Sequence, residues 1–218
     1  SHRWGFETTA SLAGEVKAEN SLTQRRKGAK FKVKTNVDVL CVGHASYDLV
    51  FAVDHHPDAD EKTFAEKFIS CGGGPAANAA VTVSRLGLKS AFAGYLGNDF
   101  YGQRHLEELD QAAVNTDLVV RGDSPTPLSA ILVKTDGQRT VVNYKGETAP
   151  LPADSIDFSR WHPQVILFDG HEPEVSLALM KAIKDRGIST VLDAGSVHRG
   201  SLKLLEQVDY AVVSQKFA

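Results

Sequence analysis

Three consecutive glycines that lead into a proline and a run of small residues constrain this sequence more than any other feature. The segment covers residues 71–80 and reads Cys-Gly-Gly-Gly-Pro-Ala-Ala-Asn-Ala-Ala. Glycine lets a backbone approach a ligand closely, and proline is preorganised for the first position of a helix. The start of a helix offers unpaired N–H groups, and the amide of Asn78 can both donate and accept hydrogen bonds. The pattern predicts a small-molecule site at a helix N-terminus, with a simple tight turn as the alternative.

Two other glycine motifs that bind nucleotides do not fit this sequence. A dinucleotide fingerprint needs G-x-G-x-x-G directly after the first strand. The first predicted strand, residues 37–42, is followed by Gly43 without a second glycine in place. A P-loop needs a lysine after its last glycine. Gly97 and Gly102 have that glycine spacing, but Gln103 follows, so neither a dinucleotide oxidoreductase nor a P-loop enzyme is predicted.

Short apolar segments alternate with amphipathic segments along most of the chain. Strands are predicted at residues 37–42, 91–96, 165–168, 190–192 and 210–213. Helices are predicted at residues 75–86, 102–113 and 174–186. Strands that alternate with helices indicate a mostly parallel sheet, whose ligands bind beyond the carboxyl ends of the strands. Four polar residues stand just past predicted strands or at a helix start, namely Asp48, Asn78, Asp169 and Asp193.

Two segments interrupt this alternation. Residues 49–69 contain short alternating apolar patches, and residues 128–144 have the pattern of a hairpin around Asp136-Gly137. Asp-Gly is a strong signal for a two-residue turn. Together the two segments predict a small sheet that is separate from the main one.

The charge balance argues against nucleic acid as a partner. The net charge is −3, and residues 1–36 hold eight of the 24 Lys and Arg residues. We expect these 36 residues to form a disordered, solvated basic extension, with an arm for nucleic acid or a membrane surface as the alternative. The folded domain is expected over residues 37–218.

The sequence shows no pattern typical of a membrane span, a disulfide framework or a histidine metal site. No window approaches 18 consecutive apolar residues. Two cysteines, Cys41 and Cys71, favour a reducing cytoplasm. His55 and His56 are adjacent, which is not a metal-ligand spacing. We therefore expect a cytoplasmic protein with no membrane contact and no metal held by histidine.

The glycine spacing beyond this segment carries a family resemblance. The asparagine of the segment is followed, without a gap, by Gly87, Gly97 and Gly102. This spacing resembles the N-terminal signature of the ribokinase-like (pfkB-type) carbohydrate kinases. The resemblance implies a ribokinase-like doubly wound α/β fold, with helices on a mostly parallel sheet and a small β-lid from residues 49–69 and 128–145. It further implies ATP and Mg²⁺ as cofactors, a sugar or nucleoside as substrate, and a homodimer formed through the lid.

The resemblance also assigns roles to individual residues. Those matching the sugar-binding positions of the family are Asp48, Asp60, Gly73, Gly74 and Asn78. A turn cap at Asp48 and a solvated acidic loop at Asp60 are the structural alternatives. Arg139 resembles a lid arginine that reaches toward the transferring phosphate, with an exposed hairpin arginine as the alternative.

Three departures from the family's pattern bear on these roles. Pro75 stands where some ribose and ketohexose kinases place a polar side chain toward the sugar. Ser214-Gln215-Lys216-Phe217 occupies the place of an Asn-x-x-Glu motif linked to Mg²⁺ and anions, which leaves Ser214 as the cofactor-binding candidate. The Gly-Ala-Gly-Asp run that carries the catalytic base is absent, and we expect that base beyond Ala218.

These observations predict the substrate-binding N-terminal part of an ATP-dependent sugar kinase, inactive by itself. The resemblance covers residues 38–218, about the first two-thirds of a typical member. A sheet that stopped at Val213 would leave an exposed edge, which favours a longer parent chain. A non-catalytic sugar- or nucleoside-binding module and a nucleoside kinase are the alternatives.

Overall fold

The computed structural model describes residues 34–218, so the first 33 residues of the predicted basic extension lie outside the described range. The strands are β1 Thr35–Val42, β2 Ser46–Ala52, β3 Lys67–Gly73, β4 Ser90–Gly97, β5 Asn115–Gly122, β6 Leu128–Val133, β7 Arg139–Tyr144, β8 Trp161–Phe168, β9 Ser189–Ala194 and β10 Tyr210–Val213. The helices are α1 Pro75–Arg85, α2 Phe100–Gln111, α3 Pro173–Ile183 and α4 Arg199–Leu205. None of these described helices, which have 7 to 12 residues, is long and apolar enough to cross a membrane.

Six parallel strands form the main sheet, in the order β10-β9-β8-β1-β4-β5. The chain winds from β1 through β4 to β5, and β8 then pairs with the other side of β1. The direction of winding therefore reverses between β1 and β8. The carboxyl ends of these two strands flank the crevice in which doubly wound sheets bind ligands.

Helices cover both faces of the main sheet because the side chains of a strand point alternately to each face. Leu40 and Val42 of β1 lie in one buried cluster with Val175 and Leu179 of α3. Cys41 lies in the other cluster, together with three fully buried alanines of α1. These small side chains let α1 pack closely against the sheet.

The two segments that interrupt the alternation build a second sheet of four strands, in the order β3-β2-β6-β7. We call it the small sheet. Its β6–β7 hairpin turns at Gly137, whose φ is +83°, as the Asp-Gly signal predicts. Ser46 pairs with Gly73, so β2 and β3 extend beyond residues 49–69. Gly72 and Gly73 of the glycine run therefore end a strand, and Gly74 alone separates that strand from α1.

Several element boundaries differ from the prediction for local reasons. Helix α2 begins at Phe100, two residues before the predicted start, because the Asp99 carboxylate accepts a hydrogen bond from the Gly102 N–H (2.7 Å) and caps the helix. Helix α1 ends at Arg85, one residue before the predicted end, with Gly87 at a φ of +86° just beyond it. The prediction missed β5, which has only three consecutive apolar residues, and α4, which has seven residues.

Candidate functional site

Asp48 lies on β2 in register with Cys71 of β3, and its half-buried carboxylate occupies the space beside Gly73. A Cβ atom at Gly73 would overlap that carboxylate, so the absence of a side chain makes room for it. The Ser46 hydroxyl donates a hydrogen bond of 2.9 Å to Oδ1 of Asp48 and orients the group. Asp48 thus forms a fixed hydrogen-bond acceptor next to the glycine backbone.

Gly74 brings the start of α1 against the segment that follows β1. Its φ of +96° is a conformation that favours glycine. A Cβ atom here would overlap the His44 carbonyl oxygen and lie 2.7 Å from Cα of Ala45. Gly74 has no side chain with which to cap α1, so the first N–H groups of the helix need other partners.

Asp169, the first residue after β8, supplies this cap from a distant part of the chain. Its Oδ2 accepts hydrogen bonds from the N–H groups of Ala76 (3.1 Å) and His44 (2.7 Å). Its Oδ1 accepts one from the N–H of His171 (2.9 Å). Burial raises the pKa of Asp169 to about 6, against the lowering effect of these three donors.

Asn78 stands in the first turn of α1 on the exposed side of the helix, opposite the alanines that face the core. Its N–H donates to the Gly74 carbonyl oxygen (2.9 Å) as part of the helix. No described residue forms a hydrogen bond with its side-chain amide. That amide is therefore available to a ligand near Gly74.

Helix α2 holds the inner end of the small sheet, by which we mean the end where β2 begins and β3 ends. Glu108 accepts hydrogen bonds from the Gly72 N–H (2.6 Å) and the Tyr47 hydroxyl (3.2 Å). The His105 ring fills the space that a side chain at Gly72 would need. Burial lowers the pKa of His105 to about 4. Since side chains alternate along a strand, these contacts support the sheet from the face opposite Asp48.

The family model described as pfkB family carbohydrate kinase matches residues 36–216. The chain belongs to this family. The nucleoside kinase of Methanothermobacter thermautotrophicus is 30% identical over 129 residues, which are 56% of this chain and 42% of that relative. The ribokinase of Lactococcus lactis is 27% identical over 178 residues, which are 79% of this chain and 59% of that relative. The structure of Arabidopsis thaliana ribokinase complexed with ribose and ATP aligns with a TM-score of 0.66 and 22% identity, over 82% of this chain and 60% of that one.

These matches confirm the family and the ribokinase-like α/β fold predicted from the sequence. The chain spans about half the length of the curated relatives it matches.

Two of the site residues predicted for this pfkB-family chain lie at the outer end of the small sheet, where β2 ends and β6 turns into β7. Asp60 lies in the exposed loop between β2 and β3, with a φ of +62°. Arg139 is exposed and lies four residues along β7 from Asn143. Asn143 pairs with Ser129 of β6, which pairs in turn with Asp48 of β2. Four residues of a strand span about 13 Å. The structure therefore brings Asp48, the glycines and Asn78 into one region, but not Asp60 or Arg139.

Ser214 follows β10, three strands away from β1, a separation of about 14 Å. Its hydroxyl donates to the Gly195 carbonyl oxygen (2.9 Å). Within residues 34–218, no group of three or more His, Cys, Asp or Glu side chains is placed to hold a metal ion.

A cluster of rings and charges that was not predicted from the sequence lies at the carboxyl ends of β1, β8 and β9. The rings of His44, His171 and His198 follow one another, with centroid distances of 5.1 and 4.6 Å. Burial lowers the pKa of His44 to about 3 and raises that of Glu172 to about 7. His44, His171, Glu172 and Lys145 line a cavity of about 60 Å³.

A signal for this cluster was present, because Asp169-Gly170-His171-Glu172 directly follows a predicted strand. Such positions bind ligands in a doubly wound sheet only near the point where the winding reverses. Periodicity does not show that β8 is the neighbour of β1, so the cluster could not be located from sequence.

Proposed function

We propose that this chain is the acceptor-binding part of an ATP-dependent kinase that phosphorylates a hydroxyl group of a sugar or nucleoside. The observation that carries the proposal is the Asp48 carboxylate held beside Gly73 at the start of α1. Membership of the pfkB family supports the reaction class. The relatives support both acceptor classes, because one is a nucleoside kinase and another a ribokinase.

Each residue near Asp48 has a distinct role in this proposal. The Asp48 carboxylate accepts hydrogen bonds from neighbouring hydroxyl groups of the acceptor, since it offers two oxygens. Gly73 and Gly74 let the acceptor approach the backbone, and Asn78 supplies one donor and one acceptor group. Together they hold the acceptor at the carboxyl end of the main sheet.

ATP is the proposed phosphoryl donor, a choice that the ATP complex of the Arabidopsis ribokinase supports. Bound ATP supplies the γ-phosphoryl group, and Mg²⁺ neutralises part of its charge. We assign none of residues 34–218 to hold both, or to act as the base that removes the hydroxyl proton. The 218-residue chain alone is therefore expected to bind its acceptor without phosphorylating it.

The small sheet acts as a lid that closes over the acceptor and excludes water. Once ATP is also bound, closure carries Asp60 and Arg139 from the exposed outer end toward the acceptor. Asp60 then binds a further hydroxyl, and Arg139 neutralises charge on the transferring group. Ser214 has no role in this proposal beyond its contact with Gly195.

A homodimer through the small sheet is part of the proposal. Three apolar side chains are exposed on the face opposite Asp48, namely Phe68, Val142 and Tyr144. A second copy of the chain would cover these side chains. We also place the protein in the cytoplasm, because Cys41 and Cys71 are both free thiols.

Calorimetric titration of the 218-residue chain with a panel of sugars and nucleosides tests the proposal. We expect Asp48→Asn to weaken the tightest ligand about a hundredfold, because each hydrogen bond to a charged group contributes about 1.5–3 kcal/mol. Asp54→Asn is the matched control, since this exposed carboxylate lies just after β2 and should leave the dissociation constant unchanged. A folded chain that binds neither a sugar nor a nucleoside overturns the proposal.

A further inference from the structure

We propose that Asp169 is a positioning residue that joins the two halves of the acceptor site and thereby sets its affinity. This inference rests on the proposed function, because it concerns the same site. In this proposal, Asp169 does not contact the sugar or nucleoside. It acts through the backbone N–H groups that it binds.

The hydrogen bonds of Asp169 connect separate parts of the chain. One oxygen, Oδ2, accepts from the N–H of His44, two residues before Ser46, and from the N–H of Ala76, two residues after Gly74. The first bond therefore fixes the segment that leads into Asp48. The second fixes the helix start that follows the glycines and carries the side chain of Asn78. A single oxygen atom thus fixes the distance between the segment that leads into Asp48 and the start of α1.

The backbone around this carboxylate is shaped to admit it. Gly43 has a φ of +154°, and a Cβ atom there would overlap the carboxyl group of Asp169. Gly74 allows the helix start to approach the His44 carbonyl oxygen. Two glycines on different segments therefore make room for the Asp169 carboxylate and for the contact that it stabilises.

The environment of Asp169 indicates that its backbone contacts are its main interactions. The residue is 2% exposed, and within residues 34–218 no Lys or Arg forms an ion pair with it. Burying a carboxylate without a cation costs free energy, which the three N–H donors offset in part. An asparagine has nearly the same shape, but only one of its two terminal atoms can accept a hydrogen bond. Asp169→Asn must therefore lose at least one of the three contacts.

Protonation should weaken the same contacts. The titratable groups around Asp169 are Cys41 on β1, His44 after β1, His171 and Glu172 in its own turn, Asp193 on β9 and His198 at the start of α4. Burial raises the pKa of Asp169 to about 6 and that of Glu172 to about 7. We therefore expect acceptor affinity to fall as the pH decreases through about 6, where Asp169 takes up its proton.

The test compares Asp169→Asn with Asp209→Asn in the 218-residue chain, using the sugar or nucleoside that wild type binds most tightly. Asp209 is a matched control at the opposite end of the main sheet, where it accepts hydrogen bonds from the N–H (2.8 Å) and hydroxyl (2.9 Å) of Thr190. We expect about a tenfold higher dissociation constant for Asp169→Asn and less than about a twofold change for Asp209→Asn. Urea unfolding of each variant shows that the titrated protein is folded.

If Asp169→Asn does not fold, the positioning role is tested by measuring the acceptor's dissociation constant across a pH series, for the wild type and for Glu172→Gln. We expect affinity to fall at low pH in both proteins, because Asp169 remains in each. Unchanged affinity in folded Asp169→Asn, or a wild-type affinity that does not vary between about pH 5.5 and 7.5, overturns the positioning role alone. A wild-type chain that binds no sugar or nucleoside overturns both this role and the proposed function.

Discussion

The two ends of the small sheet are held very differently. At the inner end, Glu108 binds the Gly72 N–H and the Tyr47 hydroxyl, and the His105 ring is buried against the glycine. At the outer end, Arg139 and Thr140 of β7 are exposed, and the hairpin carries a surface ion pair between Lys134 and Asp136 (3.2 Å). The first set of contacts is partly or fully buried, whereas exposed ion pairs contribute only about 0–1 kcal/mol.

This difference indicates which part of the candidate site is already formed. In the proposed function, the inner end receives the acceptor without rearrangement, because its groups are fixed by hydrogen bonds and packing. The outer end can move at little cost in free energy, which is what a closing lid requires. Substitutions at the inner end should therefore affect binding and stability more than those at the outer end.

The largest expected effect is that of Gly73→Ala on acceptor binding. The added Cβ would overlap the Asp48 carboxylate and displace it. We expect calorimetry to show a loss of affinity of about a hundredfold or more, similar to removal of the charge. Gly195→Ala is the control, because a Cβ there meets no atom within 4 Å. Equal affinities for the two variants would show that Asp48 does not bind the acceptor.

The next effect concerns stability at the inner end. Glu108→Ala leaves the Gly72 N–H without its acceptor, and we expect the free energy of unfolding in urea to fall by about 2 kcal/mol. Glu107→Ala is the matched control on the same helix, since Glu107 forms only surface contacts, an ion pair with Arg104 (2.9 Å) and a hydrogen bond from the side-chain amide of Gln103 (3.1 Å). Its expected loss is about 0.5 kcal/mol. Similar losses for both variants would contradict the claim that α2 anchors the small sheet through Glu108.

The pH dependence of stability should also differ between the two ends. Burial lowers the pKa of His105 to about 4, so between about pH 4 and 6.5 the unfolded chain binds a proton that the folded chain does not. His105 therefore contributes stability that is lost as the pH falls below about 6.5. His105→Gln should not show this loss. On acidification from about pH 6 to 5, its unfolding free energy should therefore rise relative to that of wild type by about 1.4 kcal/mol per pH unit.

His55 provides the opposite case at the outer end. Hydrogen bonds to Glu61 and Asp54 raise the pKa of this exposed histidine, so its contribution is lost as the pH rises. Relative to wild type, His55→Gln should lose stability on acidification, and by less, since solvent screens the interaction. Urea unfolding across the pH series gives the difference in unfolding free energy between each variant and wild type. If this difference changes with pH in the same direction for both variants, the inner end is not buried as described.

The smallest expected effect is that of Arg139→Ala. In the absence of ATP, its dissociation constant for the acceptor should stay within about twofold of wild type, because Arg139 lies about 13 Å along the strands from the row of Asp48. Its stability should change by less than about 0.5 kcal/mol. A marked loss of affinity in calorimetry would mean that the outer end already contacts the acceptor without ATP.

The fold could be predicted from the sequence because its signals are local. The glycine spacing after Asn78 and the alternation of strands and helices are both patterns within short windows. Asp48 and Gly73 could be named separately, but their contact depends on the pairing of Ser46 with Gly73, which periodicity does not determine.

The rest of the site depends on long-range order in the sheet. The hydrogen bond from Ala76 to Asp169 spans 93 residues, and it exists because β8 lies beside β1. Strand β5 and helix α4 were missed because each is short and carries little apolar periodicity, so tertiary packing decides its structure. What sequence patterns could not predict is therefore how distant segments meet at the carboxyl end of the sheet.

Hydrogen exchange of the 218-residue chain, with and without its tightest sugar or nucleoside, tests most directly whether the inner end is a preformed acceptor site. We predict slower exchange in residues 67–80, which contain the end of β3 and the start of α1, and unchanged exchange in residues 134–145. Slower exchange confined to residues 134–145, or protection spread over both segments, would contradict the account.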